Sequence, residues 1–133
     1  KGTANISEKY DEKKKIKNMS DDCLFCKIVA GKIPSKKIYE DDDVMAFHDI
    51  HPVATVHFMI IPKQHVASMA ELNDTHQAVM GKIMTLAPRL AKEQGCDNGF
   101  RTIVNTGAAA RQDVYHLHVH IVGGELLPRM IVK

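Results

Sequence analysis

Apolar residues along this chain alternate between two spacings. Leu24, Phe25, Ile28 and Val29 recur at helical steps ahead of Gly31, which predicts a short helix over 24–30, and Pro34 then breaks the chain. "KIYE" (37–40) and "VMAFHDI" (44–50) read as two strands joined by the acidic turn "DDD", and "VHFMIIP" reads as a third strand ending before Pro62. Asn73 or Asp74 can cap one long helix running towards Gly95, with Val79, Ile83, Met84, Leu86, Leu90 and Ala91 on its apolar face. Pro88 lies inside it, so a kink or a break into two pieces is expected there. "FRTIVN" predicts a fourth strand, "TGAAARQD" a loop, and "YHLHVHIVG" a fifth strand closed by Gly123 and Gly124. Strands on both sides of one long helix, with hairpin-length links, indicate an α+β domain on a five-stranded, mostly antiparallel sheet.

Composition narrows the class. The 133 residues suit one domain, expected over 20–133, with a core large enough to need no disulfides. Of 18 Lys and Arg, six lie in residues 1–18 with only three acidic residues, so the net charge of +2 belongs to that segment. Residues 1–19 are therefore expected to be a disordered basic leader, and the near-neutral remainder offers no footprint for long nucleic acid. No apolar run approaches a membrane span and no secretory signal opens the sequence, which points to a cytoplasmic protein with no membrane partner. Three cysteines with one close pair do not make a disulfide framework.

The last predicted strand carries the chemistry. His116, His118 and His120 occupy alternate positions, so in a strand they share one face while Leu117, Val119 and Ile121 enter the core. A polar outer face needs no histidine in particular, so the purely structural reading is the weakest of three. A three-histidine metal centre is the second, but same-face neighbours on a strand stand about 6.6 Å apart and the outer pair about 13 Å, so the rings would have to bend inward. Nucleophilic catalysis at phosphorus is the third: neutral imidazole attacks well near pH 7, and flanking histidines can set its tautomer and donate to the developing oxyanion.

"HLHVHIV" resembles the signature of the histidine triad (HIT) superfamily. "FCKIVAGKIPSKKIYEDDDVMAFHDIHP", "HFMIIPKQH" and "NTG...RQDVYHLHVHIVGG" are similar in order and spacing to its Hint branch, the histidine triad nucleotide-binding proteins. The similarity runs from Asp22 to Gly124. It implies a HIT-like fold whose dimer forms one continuous sheet, and a purine nucleoside phosphoramidate hydrolase that releases a nucleoside 5′-monophosphate, AMP or GMP. It implies that His118 is the nucleophile, with His116, His120 and His57 beside it. Phe47, His48, Asp49 and Ile50, with Phe25 and Ile28, would form the nucleoside pocket, Asp49 accepting from both ribose hydroxyls. Asn105, Gln112 and the backbone near Val114 would contact the α-phosphate. Asp113 replaces a serine that in many relatives helps protonate the leaving group, and Arg111 replaces a common glycine.

Cys23 and Cys26, spaced i and i+3, leave three readings open: half of a zinc site, two buried thiols, or a redox pair. The resemblance implies a structural zinc completed by His116 and His57, and no metal for the chemistry itself. Three other functions stand beside the leading one: a dinucleoside polyphosphate hydrolase, a nucleotide-binding regulator with incidental catalysis, and a zinc-binding structural module.

Overall fold

Residues 22–130 are described by a computed structural model. The leader expected over 1–19 lies outside the described residues. Helix α1 (Leu24–Val29) is followed by strands β1 (Lys37–Glu40), β2 (Val44–His48) and β3 (Val56–Pro62), helix α2 (Gln77–Glu93), and strands β4 (Phe100–Ile103) and β5 (Val119–Gly123). The five strands form one sheet in the order β1-β2-β3-β5-β4, with every neighbouring pair antiparallel. The expected α+β architecture is therefore present.

Alternation sorts the side chains onto two faces. Val44, Ala46, Val56, Phe58, Ile60, Leu117, Val119 and Ile121 pack with Ile83, Leu86, Ala87, Leu90 and Ala91 of α2. On the opposite face Met45, Phe47, Met59 and Ile61 pack with Phe25, Cys26 and Ile28 of α1. The long helix and the short one thus cover opposite sides of the sheet.

Helix α2 departs from expectation in two respects. It runs unbroken through Pro88, so the two-piece alternative is wrong. The missing Pro88 N–H would have met the Met84 carbonyl, and both residues lie on the solvent side, where water can satisfy that oxygen. Met84 is accordingly exposed, and Ala87 takes its place in the core. At the start, Asn73 caps a 3-10 turn over Asp74–His76, and its own N–H is received by the His76 ring.

Strand β5 begins only at Val119, shorter than the predicted 115–123, so His116 and His118 precede it. Continuing the β3–β5 register would bring Leu117 opposite Pro62, which has no N–H to give. The Leu117 N–H turns instead to the Val66 carbonyl at 2.8 Å, and the Pro62 carbonyl receives the His116 ring at 2.7 Å. Parity survives the loss of pairing: Leu117 is in the α2-side core while His116 and His118 are buried towards α1. Gly123 is required at the other end, because a Cβ there would stand 2.8 Å from Cys96 Sγ and 3.1 Å from the Gly99 carbonyl.

Candidate active site and metal centre

Backbone groups place the protons of His118 and His57, and the His57 ring in turn places that of His120. His118 Nδ1 lies 2.8 Å from the His116 carbonyl, which can only accept, so Nδ1 carries the hydrogen and Nε2 the lone pair. His57 Nδ1 accepts from the Val53 N–H at 3.1 Å, so its Nε2 is the protonated nitrogen. That Nε2–H reaches His120 Nδ1 at 2.9 Å and the Asp49 carboxylate at 3.3 Å. His120 Nδ1 is thereby an acceptor, which leaves His120 Nε2–H as a donor.

The environment keeps these rings neutral. Burial is the main reason the pKa of His118 lies below the ordinary imidazole value, with the bond to the His116 carbonyl and the Asp49 and Asp113 carboxylates opposing it. Burial lowers His57 as well, against the pull of Asp49. His120 is pushed down to about 4 by burial and by the adjacent His118 and His57 rings. Phe25 stands edge-on to His118 at 5.1 Å between centroids and edge-on to Phe47 at 5.5 Å, giving the site an apolar wall.

The other expected nucleotide-site residues are placed as follows. Phe25, Ile28 and Phe47 are buried together on the α1 face. His48 is half-buried at the end of β2, and Ile50 is exposed in the loop beyond it. Asp49 accepts from the His51 N–H at 2.8 Å with one carboxylate oxygen and faces His57 and His120 with the other. Asn105 and Val114 are half-buried and Asp113 is exposed. Gln112 differs from its expected role as a phosphate contact. Its side-chain NH2 donates to the Ala67 and Val114 carbonyls, its side-chain oxygen accepts from the Gly107 N–H, and its own N–H donates to the Gly107 carbonyl. With every donor committed, Gln112 holds the loop in shape. Arg111 in that loop adopts a left-handed conformation, φ 60°, a region that ordinarily favours glycine.

A second cluster adjoins the first. His116 donates its Nε2–H to the Pro62 carbonyl, so its Nδ1 lone pair points at Cys23 Sγ (3.3 Å), Cys26 Sγ (3.5 Å) and His65 Nδ1 (3.3 Å). His65 Nδ1 lies 3.4 Å from Cys26 Sγ. In a tetrahedral zinc site with ordinary bond lengths, N···N edges are about 3.3 Å and N···S edges about 3.5 Å. Those four separations stand close to these values and all four donor atoms lie within 4.8 Å of one another, so two thiols and two imidazoles fit that ion. The Cys23 thiol is held far below the usual thiol range by its bond to Cys26, with His116 and His65 adding to the effect.

His57 is not part of this cluster, and the expected ligand set is corrected at that position: His65 takes the fourth corner. His65 sits just past the end of β3, on the α1 side, whereas His57 is engaged by Val53, His120 and Asp49. Asp49, His57 and His120 also converge closely enough to suggest a metal. The Val53 N–H excludes it, because it fixes the His57 proton on the nitrogen that points into that group. His65 was present in the sequence block "HFMIIPKQH", three residues beyond Pro62, and that position was the available signal.

The chain is similar to known proteins over most of its length. A family profile described as "Scavenger mRNA decapping enzyme C-term binding" matches residues 22–129. Protein HitA of Neisseria gonorrhoeae is 46% identical over 103 residues, 77% of this chain and 96% of that protein. The 14 kDa zinc-binding protein of Brassica juncea is 41% identical over 105 residues, 77% of this chain and 93% of that one. A solved HIT family hydrolase from Legionella pneumophila Philadelphia 1 has a TM-score of 0.78 at 39% identity, covering 80% of this chain and 96% of its own.

Proposed function

Since the chain belongs to the histidine triad superfamily, we propose that it hydrolyses purine nucleoside 5′-phosphoramidates through a nucleotidyl adduct on His118. One observation carries the reading: the His118 Nδ1–H is tied to the His116 carbonyl, which leaves Nε2 as an uncharged nucleophile in a buried site. Nε2 forms a bond to the α-phosphorus as the P–N bond breaks, and the departing nitrogen takes a proton from solvent and leaves as the amine. Water then attacks phosphorus and gives its proton back to solvent, the His118–phosphorus bond breaks, and the nucleoside monophosphate leaves. His120 Nε2–H, oriented through His57 and the Val53 amide, donates to the non-bridging oxygen on which charge accumulates.

The base rests against Phe25, Ile28, Phe47 and Ile50, and Asp49 keeps carboxylate lone pairs for the ribose hydroxyls beyond the contacts it already accepts. Asp113 and Asn105 are assigned to the phosphate side on the family resemblance. Zinc held by Cys23, Cys26, His65 and His116 supplies structural cross-linking and takes no part in the reaction. The name of the Brassica juncea relative is consistent with that assignment.

The bond specificity is tested by comparing turnover of adenosine phosphoramidate with that of diadenosine tetraphosphate. The proposal requires the phosphoramidate to be preferred and His118→Ala to lower its turnover at least about 1,000-fold. Preference for the dinucleotide would assign the chain to polyphosphate hydrolysis instead.

A further inference from the structure

The thiol pair of the second cluster has neighbours that a purely structural metal site does not need. Cys23 and His65 line a cleft of about 360 Å³ together with Asp113, Val114 and Tyr115. Cys23 and Cys26 are one helical turn apart, with their sulfurs within 4.8 Å of each other. The Cys26 N–H donates to Cys23 Sγ at 3.2 Å, which favours the Cys23 sulfur as the electron-rich member of the pair. The third cysteine, Cys96, is buried in the α2-side core.

His116 connects this pair to the nucleophile. Its ring Nδ1 faces both sulfurs, its ring Nε2–H is held by Pro62, and its backbone carbonyl fixes the His118 proton. His116 is 0% exposed, so an Nδ1 lone pair deprived of its partners cannot turn to water without moving the residue.

We propose that Cys23 and Cys26 are an oxidation site at which a hydroperoxide converts the two metal-binding thiols into a disulfide, releasing the metal and, through His116, unseating His118. The proposal rests on the zinc and His118 readings above. The Cys23 sulfur attacks a peroxide oxygen; an S–O bond forms, the O–O bond breaks, and the departing alkoxide or hydroxide takes a proton. The Cys26 sulfur then displaces that hydroxyl; an S–S bond forms, the S–O bond breaks, and water leaves. The two sulfurs lose two electrons and the hydroperoxide gains them. Two of four ligands vanish in this change, and the His116 ring keeps its bond to Pro62 with only the His65 ring left facing its Nδ1. Disturbing such a supporting residue typically costs about 10–100-fold in metal affinity or activity.

The test uses the full chain loaded with zinc and carrying Cys96→Ser, treated with a small excess of hydrogen peroxide. Intact mass, chelator-detected zinc release and turnover are followed together. The expected result is loss of two hydrogens from the mass, release of zinc in step with it, a fall in turnover of at least about ten-fold, and recovery of all three with a thiol reductant and fresh zinc. With Cys26→Ser added, Cys23 should gain oxygen with no loss of two hydrogens. Retention of both thiols and zinc would overturn the proposal, as would a disulfide formed with zinc still bound or with turnover unchanged. Mass and zinc release need no substrate, so an inactive but metal-loaded starting protein would count against the hydrolase reading alone.

Discussion

At the residue scale, the site is defined by which nitrogen of each histidine holds a proton; backbone groups decide it for His57, His116 and His118, and the His57 ring decides it for His120. The Val53 amide, the His116 carbonyl and the Pro62 carbonyl are invisible in a sequence, which explains what could be read there and what could not. The triad and its shared face followed from residue types and spacing, whereas the expectation for Asp49 came from the family resemblance. The exchange of His57 for His65 as a metal neighbour depended on where the chain turns after Pro62, and the closed hydrogen-bond set of Gln112 depended on the fold of its own loop. The buried rings also set a pH dependence. His57 and His120 have lowered pKa values in the folded protein, so between those values and the ordinary imidazole value near 6.5 the unfolded chain binds more protons. Their stabilising contribution is present above about pH 6.5 and is lost as pH falls towards about 4. Denaturant midpoints measured across that range should decline with acidity, and His120→Asn should flatten the decline; an unchanged slope would remove His120 from the explanation.

At the element scale, apolar runs bounded by turn residues located all five strands, and parity assigned side chains to faces for the last of them. The limits were harder, because they depend on pairing: β5 starts late where Pro62 cannot supply an N–H, and α2 continues past Pro88 because the carbonyl left unpaired faces water. The second cluster joins three separate stretches of chain, namely α1, the segment after β3 and the approach to β5. A metal held there should therefore act as a cross-link. Chelation is expected to lower the thermal midpoint by about 10 °C or more, from a loss of about 3 kcal/mol or above. His65→Ala should reduce bound zinc well below one per chain, while His57→Ala should retain it. The reverse pattern in metal analysis would restore His57 as the ligand.

At the scale of the whole molecule, β4 is an edge strand with unpaired backbone groups along one side. Beside it runs a cleft of about 610 Å³ lined in part by Phe100, Leu126 and Leu127, away from the histidines. Phe100 and Leu126 are exposed apolar side chains at this edge. A second copy pairing β4 with β4 would extend the sheet and cover that surface, and we predict a homodimer of this kind. Light scattering at micromolar concentration should give twice the chain mass, and a monomer would refute the dimer without touching the site. Among the described residues no helix is long and apolar enough to cross a membrane.

The most direct measurement is to mix the protein with radiolabelled adenosine phosphoramidate, quench within the first turnovers, and identify the labelled peptide. The label is predicted on the imidazole of His118, at Nε2, and is predicted to vanish in His118→Ala. Label on another residue, or full-rate hydrolysis by His118→Ala, would contradict the mechanism.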